Sequence, residues 1–261
     1  MADAKNRSDE KYMVPAVEQA ARVLFCLAGN SSSQMSLPEI CSQVGIHKSK
    51  AYSILQTMQR FGLVQRYGDR KGYALGPGLI TLSRKVLDDF NAPRLAEPLL
   101  EDLATGIGGT ATLGLIADRT VYVVAKHEGG VDVGVTVRIG HRFPVSYGSH
   151  GKAIAACLPR EELGLLLGED KLYFHGTPDK LDRERLLREL ADCRRDGFAL
   201  DLGEMKPGLN SVAAPVIGPN GSPIGYIALF GFFPAETARQ FGPSVAAAVK
   251  VLSRQLGAQL D

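Results

Sequence analysis

The stretch Ser36-Leu37-Pro38-Glu39 constrains the fold more than any other part of the chain. A serine followed three residues later by a glutamate lets the hydroxyl and the carboxylate satisfy the first free amides of a helix, so a helix begins there. Gly45 ends it, and after the turn Gly45-Ile46-His47 the residues Ala51, Ile54, Leu55 and Met58 recur at the spacing of one helical face. A short helix, a glycine-containing turn and a second helix form a helix-turn-helix unit, whose second helix keeps one face free to enter a groove.

Residues 14–28 place Val17, Ala20, Ala21, Leu24 and Leu27 at helical spacing ahead of this unit. Behind it, 63–66 and 72–75 read as two short strands around a polar turn, a wing that carries Arg66, Arg70 and Lys71. Cations on a hairpin tip suit phosphates beside the groove that the 48–61 helix would occupy. The net charge of +2 conceals an asymmetry: residues 14–85 hold nine bases and three acids, a local +6 that leaves −4 elsewhere. Such a basic segment on an acidic remainder points to a polyanion partner for the first part only.

With its apolar stripe turned inward, the 48–61 helix presents Lys48, Ser49, Lys50, Tyr52, Ser53 and Gln56. Lysine suits guanine acceptors or phosphate, glutamine can pair two ways with adenine, and tyrosine can bond a phosphate or touch a thymine methyl. Taken alone, these residues also fit a merely solvated helix face.

Farther on, 79–90 reads as a helix joining two domains, and Pro93 starts another that ends near Gly106. The period then changes to that of strands at 110–117, 120–127 and 131–138. Helices return at 149–158, 159–167 and 182–195, strands follow at 198–202, 211–217 and 224–230, and a closing helix spans 243–260. Gly218-Pro219-Asn220-Gly221 supplies the hairpin between the last two strands. Runs of strands interrupted by helices imply an α+β domain on an antiparallel sheet. The expected organisation is a DNA-binding domain at 1–76, with 1–13 as a flexible leader, a linker helix at 77–92, and a second domain at 93–261.

Several function classes drop out. No apolar run approaches the 18 or so residues of a membrane span and the first ten residues are polar, so no membrane partner and a cytoplasmic location are expected. Cys26, Cys41, Cys157 and Cys193 are scattered without a paired spacing, which predicts neither disulfides nor a metal site. The chain has no nucleophile elbow, zinc-protease helix, Walker loop or dinucleotide fingerprint, so no enzyme activity, catalytic residue or cofactor is expected. Gly106-Ile107-Gly108-Gly109 precedes a strand rather than opening a helix, and it fits helix termination better than a phosphate loop.

The helix-turn-helix residues Leu37-Pro38-Glu39-Ile40 and Val44-Gly45-Ile46-His47-Lys48-Ser49, and the wing ending in Tyr73-Ala74-Leu75-Gly76-Pro77, resemble those of the IclR family of transcriptional regulators. More specific are Gly140-His141-Arg142-Phe143-Pro144 with Gly151-Lys152-Ala153, and Arg195-Asp196-Gly197-Phe198 with Asp201, Glu204 and Ser211-Val212-Ala213-Ala214-Pro215-Val216. The resemblance runs from Val14 over nearly the whole chain. It implies a winged helix-turn-helix, a linker helix and a GAF-like domain, acting as a homodimer or a dimer of dimers on palindromic double-stranded operator DNA. Only this resemblance assigns effector binding and oligomerisation to 93–261. At Lys50 and Ser53 the chain departs from the threonine and arginine common in that family, so the operator sequence does not carry over.

Transferred position by position, the resemblance places a small-molecule effector against Ser149, His150, Asp201, Ser211, Ala228 and Phe230. Family members that bind small hydroxy or keto acids have serines at the last two positions. Methyl and phenyl groups there, with Leu115 or Tyr226 nearby, favour an aromatic or otherwise apolar organic acid whose catabolic operon the protein would control. Two alternatives stay open: a small keto or hydroxy acid sensor, and an architectural DNA-binding oligomer without a ligand. His150 can pair with a ligand carboxylate or cap its own helix, and Asp201 can recognise a ligand or hold its loop.

Overall fold

The computed structural model describes residues 13–30, 34–67, 72–89, 91–130 and 134–260. Arg70 and Lys71 at the wing tip, the leader 1–12 and Phe90 lie outside them. The chain divides into two compact units, Met1–Asp89 and Phe90–Asp261.

In the first unit α1 (Pro15–Gly29) is followed by β1 (Met35–Ser36), α2 (Leu37–Val44), α3 (Lys48–Arg60), β2 (Val64–Tyr67), β3 (Gly72–Leu75) and α4 (Gly78–Asp89). The capping box forms: the Ser36 amide donates to Glu39 Oε2 at 2.7 Å while the Glu39 amide donates back to Ser36 Oγ at 3.5 Å. Helix α2 ends on Gly45, whose left-handed φ of 72° is accessible to glycine without a Cβ penalty. The strands form a three-stranded antiparallel sheet in the order β1-β3-β2, and the two-residue β1 is an element the sequence pattern does not announce. Val23, Ile40, Ala51, Leu55, Val64 and Tyr73 meet in one apolar core under the three helices.

The second unit runs α5 (Ala92–Ile107), β4 (Thr110–Ala117), β5 (Thr120–Glu128), β6 (Arg142–Pro144), α6 (Gly148–Cys157), α7 (Arg160–Leu167), α8 (Arg183–Asp196), β7 (Ala199–Leu202), β8 (Asn210–Ile217), β9 (Pro223–Gly231) and α9 (Ala235–Gln255). Its six strands are all antiparallel, in the order β6-β5-β4-β9-β8-β7. Alternate residues of a strand face opposite sides, so this sheet has two distinct surfaces. On one, Leu113, Val212, Val216, Ile227 and Leu229 pack with Leu100 of α5 and Val245 and Leu252 of α9. On the other, Val121, Ala213, Tyr226 and Ala228 pack with Ala153 and Ile154 of α6 and Leu186 and Leu190 of α8.

Two expectations fail. Residues 134–138 of the predicted 131–138 strand are not in a strand. Their exposure does alternate, but no strand ladder forms: Thr110 Oγ1 donates to Val135 O at 2.6 Å, Thr136 Oγ1 meets Lys126 Nζ at 2.9 Å, and the His141 amide donates to Arg138 O at 3.0 Å in a turn. The closing helix begins at Ala235 rather than at Pro243, which lies inside it. Proline most often opens a helix, yet here the preceding residue, Gly242, lies so close to the Phe198 ring that any Cβ would collide with it.

Candidate functional site

Two surfaces collect the residues singled out by the sequence, one in each unit. The first is the outer face of α3. Ala51, Ile54, Leu55 and Met58 are its buried positions, whereas Lys48, Ser49, Lys50, Tyr52, Ser53 and Gln56 are all exposed, Tyr52 by 47 %. Its first turn holds no acid, and His47 makes no side-chain cap, so the positive end of the helix dipole lies beside two lysines without internal compensation. Ser53 Oγ donates to Ser49 O at 3.1 Å and Gln56 Nε2 to Gln59 Oε1 at 3.0 Å. Both bonds keep the side chains close to the helix surface rather than in the interior. On the wing, Arg66 is exposed and its guanidinium lies 5.8 Å from the Tyr73 ring centroid, a cation–π distance. Thr57, exposed one turn beyond Ser53, belongs to the same face and escaped the sequence reading.

The second is the face of the sheet that α6 covers, where the family resemblance expects the effector cup. Strand register assembles its floor: Asp201 lies opposite Ser211, Ser211 opposite Phe230, and Phe230 opposite Thr110. The next row on the same face is Ala199, Ala213, Ala228 and Thr112, and a third contains Pro215, Tyr226 and Gly114. Thus Asp201, Ser211, Tyr226, Ala228 and Phe230 share one side of the sheet. Leu115 does not: it packs against the opposite core with α5 and α9.

Helix α6 forms the roof. Ser149 shares a 2.7 Å hydrogen bond with Ser211, which joins roof to floor. The His150 ring stacks on Tyr226 at 4.4 Å and 14° and on Tyr147 at 5.6 Å and 20°, with Phe143 tilted against it at 5.5 Å. Phe143 and Tyr147 lie in or next to β6 and were not among the expected site residues. Tyr226 lies across Gly114 of the neighbouring strand, where any Cβ would collide with its ring. The amide of Gly148 is bonded to Tyr173 O and that of Gly151 to Tyr147 O; among the described residues the intervening amides of Ser149 and His150 have no partner, as in any first helical turn. Burial holds the His150 imidazole neutral, with its pKa pushed down to about 3.

Asp201, 2 % exposed, accepts from the amides of Glu204 at 3.0 Å and Met205 at 3.3 Å, so it holds the loop after β7. Burial raises its pKa, opposed by the Lys152 charge and by the amides of Met205 and Gly203. Lys152 itself is 1 % exposed, and the sequence reading gave it no place in a site. Its ammonium donates to Glu204 Oε2 at 2.7 Å and Leu200 O at 3.1 Å and lies 2.9 Å from Glu189 Oε2. Arg185 bonds both glutamates from the other side. His175 accepts the Asp182 amide on Nδ1, so its Nε2 donates to Glu189 at 2.9 Å. Burial works against ionisation of Glu189, but the His175 bond and the Lys152 ammonium prevail and hold its carboxyl at about 2. His175, Glu189 and Glu204 bring metal-ligand atoms within 4.8 Å of one another, but the Lys152 ammonium already supplies the cation. Beyond β7 lies a separate groove of about 340 Å³ whose charged walls are largely paired, Arg195 with Asp192 and Asp196, and Arg185 with Glu189 and Glu204. No helix among the described residues is long and apolar enough to cross a membrane.

Known proteins align with both surfaces. The family described as "Bacterial transcriptional regulator IclR C-terminal" matches residues 84–257, and the IclR helix-turn-helix domain matches residues 16–68. The HTH-type transcriptional regulator XynR of Escherichia coli (strain K12) is 32 % identical over 205 residues, 78 % of this chain and 81 % of XynR. A crystal structure of an IclR transcriptional regulator from Alicyclobacillus acidocaldarius superimposes with a TM-score of 0.81 at 27 % identity, covering 94 % of this chain and all 100 % of that one. An IclR homologue from Microbacterium hydrocarbonoxydans, crystallised in complex with 4-hydroxybenzoate, shares the fold with a TM-score of 0.76 at 19 % identity, covering 92 % of this chain and 99 % of its own.

Proposed function

The chain belongs to the IclR family of transcriptional regulators, and on that premise we propose that it reads operator DNA through the outer face of α3 and answers to an aromatic or otherwise apolar organic acid held in the cup. The observation that carries the DNA half is the acid-free face of α3, where Lys48, Ser49, Lys50, Tyr52, Ser53 and Gln56 are all exposed while the apolar stripe is buried. Lys50, Gln56 and Tyr52 contact base edges, and Arg66, with Arg70 and Lys71 of the wing, contacts phosphates. The operator is palindromic because two copies bind it. Val17 on α1 and Val14 at its N-cap are 65 % and 57 % exposed, and with Ala21 they form an apolar stripe suited to a second copy of the same helix.

For the effector half, the cup offers an apolar aromatic wall from Phe143, Tyr147 and Tyr226, the Ser149–Ser211 hydroxyl pair, and two free amides at a helix N-terminus that suit a carboxylate. The regulated operon serves the breakdown of that acid. A ligand acts by binding more tightly to one of two arrangements that differ in operator affinity.

The test is a titration of the operator fragment at fixed salt, alone and with a panel of aromatic acids and short keto acids. Lys50→Ala and Gln56→Ala should each weaken binding by roughly 1–3 kcal/mol and relax sequence preference, while Arg66→Ala lowers affinity for any duplex and flattens its salt dependence. Unchanged affinities in the α3 variants would refute the DNA assignment. A response confined to the short keto acids would refute the effector class.

A further inference from the structure

One polar atom in the cup is left without a partner. His150 is 7 % exposed, and its Nε2 is buried with no hydrogen bond. A buried nitrogen left unpaired costs roughly 1–3 kcal/mol, so native proteins seldom keep one unless a ligand or water completes it. The geometry restricts how that can happen. Tyr226 and Tyr147 stack on the imidazole, at 4.4 Å and 5.6 Å with interplanar angles of 14° and 20°. Phe143 closes a third side at 5.5 Å. Nothing more can stack on the ring, and an incoming group meets it edge-on.

The polar groups packed nearby do not fill the vacancy. The Asp201 carboxylate accepts from Glu204 and Met205 amides, Ser149 is bonded to Ser211, and Lys152 is bound to Glu189, Glu204 and Leu200. A neutral imidazole presents one donor or one acceptor at this edge rather than a charge, so it selects by hydrogen-bond geometry.

Resting on the reading of the cup as the effector site, we propose that His150 sets its specificity: Nε2 makes one hydrogen bond with an uncharged hydroxyl or carbonyl group of the effector, and so separates that compound from the analogue lacking the group. A site built around such a bond discriminates strongly, because the analogue leaves the nitrogen unpaired. The carboxylate of the same effector is free to lie at the Ser149 and His150 amides.

The full-length protein is titrated calorimetrically with benzoate, phenylacetate and 3-phenylpropanoate, each against its ring-hydroxylated analogues. At least one hydroxylated acid should bind roughly tenfold tighter than its parent. His150→Phe keeps a ring between the two tyrosines and should equalise that pair while still binding the parent. His150→Gln, which can still donate and accept, should restore part of the preference. Should His150→Phe fail to fold by circular dichroism, the comparison of His150→Gln with His150→Leu reads the same difference. A preference that persists without the imidazole, or parents that bind wild type as tightly as their hydroxylated partners, overturns the proposal and leaves the effector reading standing. If none of these acids binds, both fall.

Discussion

Helices α3 and α6 carry the residues of the two proposed recognition surfaces, and they treat solvent in opposite ways. Four of the thirteen residues of α3 are buried, Ala51, Ile54, Leu55 and Met58, and the rest of its surface is largely open. Nine of the ten residues of α6 are buried, Lys152 among them. A helix that reads a macromolecule must keep its working side chains outside, and only its anchoring stripe is tied to the core. A helix that roofs a small-molecule cup has both roles inside, so its working groups are also packing groups. Lysines show the difference most plainly: Lys48 and Lys50 lie in water, whereas Lys152 is held by two carboxylates and a carbonyl.

The contrast predicts effects of very different size. The largest belongs to Lys152→Met, which takes the buried ammonium from Glu189 and Glu204 and leaves them to Arg185 and His175, and it should lower unfolding stability by about 3 kcal/mol in urea denaturation. A loss under about 1 kcal/mol would mean that Arg185 alone balances both carboxylates and that α6 does not depend on its buried charge.

Next comes acid. His150 is held neutral with a pKa near 3, below the ordinary 6.5, so between those values the unfolded chain takes up a proton that the folded one refuses. Its contribution is complete above pH 6.5 and declines as the pH falls, by about 2 kcal/mol at pH 5. Denaturation curves from pH 7 to pH 5 should therefore slope in wild type and flatten in His150→Phe; equal slopes would place the ring in contact with solvent. Smallest is the effect of Lys50→Ala or Gln56→Ala on stability, expected within about 0.5 kcal/mol despite their effect on operator affinity. A larger change would show that the outer face of α3 is packed rather than free.

The same contrast explains what could be read in advance. The stripe of α3 and the capping box of α2 are local patterns, and 3.6-residue periodicity reports a helix with one wet side directly. Helix α6 has no wet side, so its place in the chain was legible but its orientation was not. The cup is nonlocal as well: His150 meets Tyr226 from a distant strand, and Phe230, Ser211 and Asp201 align only once the register of three strands is fixed. Family resemblance supplied those positions, but it gave no hint that Leu115 belongs to the other core. Over 134–138 the alternation of valines with polar residues predicts a strand that does not form. Alternate residues there are indeed half-buried, so the period reported burial correctly and said nothing about where the backbone bonds go.

Gly114 shows how far the cup's chemistry reaches beyond the groups that line it. Because that position on β4 bears only hydrogen, the Tyr226 phenol can recline across the neighbouring strand and become the shelf on which the imidazole rests. One methyl there would tip the shelf upright and unseat His150, so the whole stack leans on a position that carries no side chain at all.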